Sequence, residues 1–144
     1  MSGKCDIDKL TDACRRGDVA TVQTCLAKGV NVNSKNVFRD TPLITAVYRN
    51  QREIVEILLV RDDLDIAVTN PVGNTVLHYA CFEGKADCVA LLGQDRRMTR
   101  QIINRKNKFG STALMVAVLY GHLSCVEEMA KLDVLTGRLR MIRG

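Results

Sequence analysis

Six cysteines, two histidines and one dense run of arginine and lysine are the residues here whose types could do chemistry. Cys5, Cys14, Cys25, Cys81, Cys88 and Cys125 could form disulfides, hold a metal or act as nucleophiles. No two of them are spaced C-x-x-C, and His78 and His122 are the only imidazoles, so the spacing of a zinc site is absent. The first residues, Met1 to Asp8, hold no apolar run of the kind a secretory signal needs, which favours free thiols. No Ser/His/Asp grouping, phosphate loop or carboxylate pair stands out, so no catalytic residue, no metal and no cofactor is expected. The basic run falls in residues 94–108, where Arg96, Arg97, Arg100, Arg105, Lys106 and Lys108 stand against Asp95 alone. Such a run suits a partner bearing phosphates or acidic side chains.

The elements that would position these residues must come from a chain of 144 residues, 47% of them hydrophobic and 26% charged. A chain this long can bury roughly 68–70% of its unfolded surface in one domain. Ten glycines and two prolines argue against a disordered or collagen-like chain. The longest apolar stretches, Ile57 to Val60 and Ala113 to Tyr120, are far short of a membrane span, so no membrane partner is expected. The net charge of +5 equals the net charge of residues 94–108, and the remainder of the chain is balanced. The charge is therefore a local property.

Self-similarity orders the rest. Leu10–Gly17, Leu43–Asn50, Leu77–Gly84 and Leu114–Gly121 align, with leucine first, alanine fourth, and glycine last in three of the four. The leucines follow one another at 33, 34 and 37 residues, and Val22, Val55, Val89 and Val126 stand nine positions after the alanines. Thr41 and Pro42 form a helix start, a hydroxyl cap and a proline at the first helical position. A short helix follows to about Arg49, and a second runs through Glu53, Ile54, Val55, Ile57, Leu58 and Leu59. Turns follow at Val37–Asp40, Pro71–Asn74 and Lys108–Ser111. Helix pairs of this kind cannot bury their faces alone and must stack.

Thr41-Pro42-Leu43, Thr75-Val76-Leu77-His78-Tyr79-Ala80 and Thr112-Ala113-Leu114 resemble the T-P-L-H-x-A signature of ankyrin repeats. Ala117 to His122 resembles another segment of the same family, and the resemblance covers roughly residues 6 to 133. It implies an all-α solenoid of stacked helix-turn-helix units with β-hairpin-like turns. The repeats would occupy about 6–36, 37–70, 71–107 and 108–144 of a single domain, 1–144. In this register Cys14, Cys25 and Cys81 fall in columns of core residues. His78 falls where the family uses a histidine to bond neighbouring repeats.

The resemblance also implies a concave groove lined by the turn tips and the exposed end of each first helix. Those columns hold Arg15, Arg16, Phe38, Asp40, Tyr48, Arg49, Phe82, Glu83, Phe109, Leu119 and Tyr120. Five of the six aromatic residues are among them. Only Tyr79 lies elsewhere, in a column expected to pack against neighbours. Aromatic rings flanked by arginine are the usual material of interface hot spots.

The expected function is therefore a non-enzymatic module that binds a protein or peptide, in an intracellular setting, cytoplasmic or nuclear. The alternatives are a regulatory or targeting segment of a larger protein, and, less favoured, nucleic-acid binding through Arg96, Arg97, Arg100, Arg105 and Lys106. Met98, Ile102 and Ile103 read as anchors of that loop into the stack. At the far end, Leu135, Leu139 and Ile142 read as a cap. A longer array, or self-association through the last repeat, are the other options.

Overall fold

The computed structural model describes residues 5–135, with side chains described as far as Leu132. Four helix pairs follow one another: α1 (Ile7–Arg16) with α2 (Val19–Ala27), α3 (Pro42–Tyr48) with α4 (Arg52–Leu59), α5 (Val76–Phe82) with α6 (Ala86–Gly93), and α8 (Ala113–Leu119) with α9 (Leu123–Leu135). A single turn of helix, α7 (Arg100–Ile103), lies between the third and fourth pairs. Helix α1 packs on α3, α3 on α5 and α5 on α8, while α2, α4, α6 and α9 form a second layer in the same order. Among the described residues there is no strand.

The repeated residues account for this stacking. Thr41, Thr75 and Thr112 cap three of the first helices, their hydroxyls accepting from the amides of Ile44, His78 and Met115 at 3.2, 3.4 and 3.2 Å. The aligned alanines, Ala13, Ala46, Ala80 and Ala117, are all fully buried, where a larger side chain would push the layers apart. Leu10, Leu43, Leu77, Val22, Val55 and Val89 fill the space between layers. Cys14, Cys25 and Cys81 lie in this core as free thiols, and burial pushes the Cys14 thiol up to about 12. Thiols held protonated there are poor nucleophiles.

Each turn is closed by an asparagine rather than by a strand ladder. The side-chain oxygens of Asn36, Asn70 and Asn107 accept from the amides two and four residues ahead, at 2.8–3.1 Å. The third tip is tied to the second by Lys108 N–H donating to the Val72 carbonyl (2.9 Å) and by the Asn107 amide donating to Asn74 Oδ1 (2.8 Å). Asn50 takes the place of the helix-ending glycine and adopts its left-handed conformation, with φ 57°. Asparagine tolerates that region better than most residues.

His78 joins the third copy to the fourth. Its Nδ1 accepts from Thr75 N–H at 3.0 Å, so its Nε2 carries the proton and donates to the Ser111 carbonyl at 2.8 Å. Burial lowers its pKa below the ordinary value, with the Ser111 carbonyl acting in the opposite sense. The expected cap built from Leu135, Leu139 and Ile142 lies outside the described side chains.

Candidate functional site

Helical periodicity gathers the exposed ring-bearing residues on one side of the stack. On α3, Thr45, Tyr48 and Arg49 stand at i, i+3 and i+4 and so share a face. On α5 the corresponding residues are Tyr79 and Phe82, and at the end of α8 Val116, Leu119 and the C-cap Tyr120. The turn tips lean over this face and enclose two clefts. The first, about 700 Å³, is lined by Arg15, Phe38, Asp40, Tyr48, Arg49 and Phe82 together with Asp8, Asp12 and Tyr79. The second, about 340 Å³, is lined by Phe82, Phe109, Leu119 and Tyr120 together with Tyr79 and His78. Tyr79 and Phe82 are walls of both, so the clefts are neighbouring parts of one groove.

Nine of the eleven residues expected in the groove therefore line it. Arg16 and Glu83 line neither cleft. Arg16 is paired with Asp12 (2.8 Å) and Asp18 (3.7 Å). Tyr79 differs from expectation: it packs against its neighbours, and it also faces the groove. Its hydroxyl accepts from the Asn70 amide at 2.6 Å, and its ring meets Tyr48 edge to face at 5.7 Å. The signal for it is the column Asp12, Thr45, Tyr79 and Val116, three positions before the column Arg15, Tyr48, Phe82 and Leu119. All four of those residues line the groove.

The rings lie in ordered pairs. Phe82 meets Tyr120 edge to face at 4.8 Å, an arrangement worth about 0.5–1.5 kcal/mol beyond the area it buries. Arg49 sits 5.9 Å above the Tyr48 ring. Asp12 is engaged by Arg16 and Arg15, which hold its carboxyl below the usual carboxylate range. Partial burial moves the Asp40 carboxyl in the other direction, upward.

The basic loop is placed apart from the groove, and one member is turned inward. The Arg97 guanidinium donates to the carbonyls of Leu59 (2.6 Å), Arg61 (2.8 Å) and Leu64 (3.2 Å), where α4 ends. Asp95 holds the same group through Nε and Nη2, both at 2.8 Å, which lowers the Asp95 pKa. Arg97 and Asp95 thus clamp the loop to the second helix pair. Arg96, Arg100, Arg105 and Lys106 are exposed. Met98, Ile102 and Ile103 are buried, α7 having wound the anchors onto the stack. Among the described residues no group of three or more possible metal ligands comes together, and no helix is long and apolar enough to cross a membrane.

Comparison with known proteins agrees with this architecture. A family model for ankyrin repeats in three copies matches residues 10–102, and one for a single ankyrin repeat matches residues 109–132. NF-kappa-B inhibitor alpha of Sus scrofa is 37% identical over 103 residues, covering 70% of this chain and 32% of that protein. The nuclear factor NF-kappa-B p105 subunit of Rattus norvegicus is 34% identical over 96 residues, 67% of this chain and 10% of that protein. The E3 ubiquitin-protein ligase XBAT33 of Arabidopsis thaliana is 26% identical over 144 residues, covering 84% and 28%. The chain thus spans about a third or less of the length of these relatives.

Proposed function

The chain belongs to the ankyrin-repeat family, and from that premise we propose that it is a non-enzymatic module capturing a protein segment in its ring-lined groove, inside the cell. The observation that carries the reading is the gathering of all six aromatic side chains along one face, as walls of two adjoining clefts. Rings account for little of the core, which is aliphatic, alanine and cysteine. Most are left partly or largely exposed, and Arg49 lies over the Tyr48 ring. Exposed rings in a concave surface carry interface energy out of proportion to their number. An NF-kappa-B protein is the partner to test first, because two of the relatives bear that name.

The test is the triple variant Tyr48→Ala, Phe82→Ala and Tyr120→Ala, compared with the parent for NF-kappa-B capture and for helix content on heating. Loss of capture with helix content retained supports the groove. Capture that persists in a folded variant removes it.

A second reading is a regulatory segment of a longer array. The column that is buried as Cys14, Val47 and Cys81 is mostly exposed at Val118, the surface a further repeat would cover. The basic loop supports nucleic-acid binding less, since Arg97 is committed to carbonyls and Asp95.

A further inference from the structure

The two clefts share walls but not chemistry. In the larger cleft Asp12 is committed to Arg15 and Arg16, and Arg49 lies against Tyr48. Asp8 and Asp40 remain, and among the described residues neither carboxylate has an ion-pair or hydrogen-bond partner. Asp40 is half-buried next to the Tyr79 ring, whose own pKa is raised first by burial and then by the Asp40 charge. An uncompensated carboxylate among rings attracts a cation twice over, through its charge and through the negative faces of the rings.

The smaller cleft has no charged lining residue, since burial keeps His78 neutral. Its amide and imidazole groups are engaged within the turn tips. Asn107 bonds Asn74, Phe109 N–H and Ser111 N–H, and His78 bonds the Ser111 carbonyl. What it offers a partner is ring and aliphatic surface from Phe82, Phe109, Leu119 and Tyr120. At about 340 Å³ it lies near the small end of ligand-pocket sizes, fitting side chains rather than a whole ligand.

We propose that the groove holds two seats and therefore orients its partner. The captured segment places a lysine or arginine side chain at the Asp8–Asp40 end and a bulky apolar side chain at the Phe109–Tyr120 end. This inference rests on the groove reading above. Tyr79 and Phe82 line both seats, so one continuous segment passes from one to the other without leaving the groove. Reversing the segment sets the cation among uncharged rings and the apolar side chain beside two carboxylates. That mismatch fixes the direction.

The test titrates the full isotope-labelled chain with three blocked amino acids, the N-acetyl methylamides of arginine, phenylalanine and glutamate, and maps the shifted NMR signals. The arginine probe is expected to move Asp40, Thr45 and Tyr48, and the phenylalanine probe to move Phe109, Ser111 and Leu119, while the glutamate probe moves neither set. In the double variant Asp8→Asn, Asp40→Asn the arginine probe weakens about three- to tenfold and the phenylalanine probe is unchanged. Glutamate binding as well as arginine, both probes shifting the same signals, or no localised shift with any probe would each overturn the two-seat assignment. None of these results decides whether a protein is captured, which the triple alanine variant tests separately.

Discussion

The second and fourth helix pairs carry nearly the same pattern and meet opposite fates. Ile44 and Val47 on α3 are 1% and 0% exposed, whereas their counterparts on α8, Met115 and Val118, are 50% and 62% exposed. The side chains are similar in size and polarity, so the difference lies in the neighbour. α3 is covered by α5, and α5 by α8, while no described helix covers the outer side of α8. Burial in a stack of repeats is a nearest-neighbour property, and a residue's own copy does not decide it.

Truncation separates the two helices most clearly. Ile44→Ala should cost about 2–5 kcal/mol of unfolding free energy, because a fully buried side chain leaves a cavity. Met115→Ala in the same column should cost less than about 1 kcal/mol. Urea denaturation of the two variants measures both, and equal losses would mean that Met115 is covered in solution.

A second contrast sits within the basic loop. Arg97→Ala removes the partner of three carbonyls and of Asp95, and a loss of about 2–3 kcal/mol is expected. Arg96→Ala, one residue away and exposed, should change stability by no more than about 0.5 kcal/mol. Comparable losses in the two variants would show that the loop is held by its overall charge and not by the clamp.

The smallest effect is one of titration. His78 shares the column of Ile44 and Met115, and burial under the fourth pair lowers its pKa. Its contribution to stability is complete above the ordinary value of about 6.5 and is lost as pH falls towards the lowered folded value, because the unfolded chain binds the proton first. A Met115→His variant puts an imidazole at the exposed end of the same column. NMR titration should find that imidazole near the ordinary value and His78 below it, and the gap closes if the two environments are alike.

The groove was partly legible in the sequence. Aligning the copies placed Tyr48, Phe82, Leu119 and Tyr120 in shared columns, and the turn positions located Phe38, Asp40 and Phe109. Tyr79 is not legible as a groove residue, because its column is one expected to pack against neighbours. Only the folded chain shows that it meets Tyr48 and Asn70 and also lines the groove. The pairing of Asp12 with Arg15 and Arg16, which among the described residues leaves Asp8 and Asp40 as the unpartnered acids of the larger cleft, was not legible either. Asp6, Asp8, Lys9, Asp12, Arg15, Arg16 and Asp18 stand within residues 6–18 and permit several pairings.

Residues 94–108 divide in the same way. Composition alone showed that the loop carries the net charge of the whole chain and that Met98, Ile102 and Ile103 could anchor it. It could not separate Arg97 from Arg96, which are identical in type and adjacent in the chain. One faces solvent, and the other reaches the end of a helix formed more than thirty residues earlier.

Spacings of three, four and about thirty-three residues along the chain set the repeat, its register, its caps and its aliphatic core. The tertiary structure alone decided which copy of each column is covered, which arginine is a clamp and which carboxylates are left uncompensated. Those outcomes depend on what lies across a gap of a few ångströms, and the chain places residues from different repeats there only by folding.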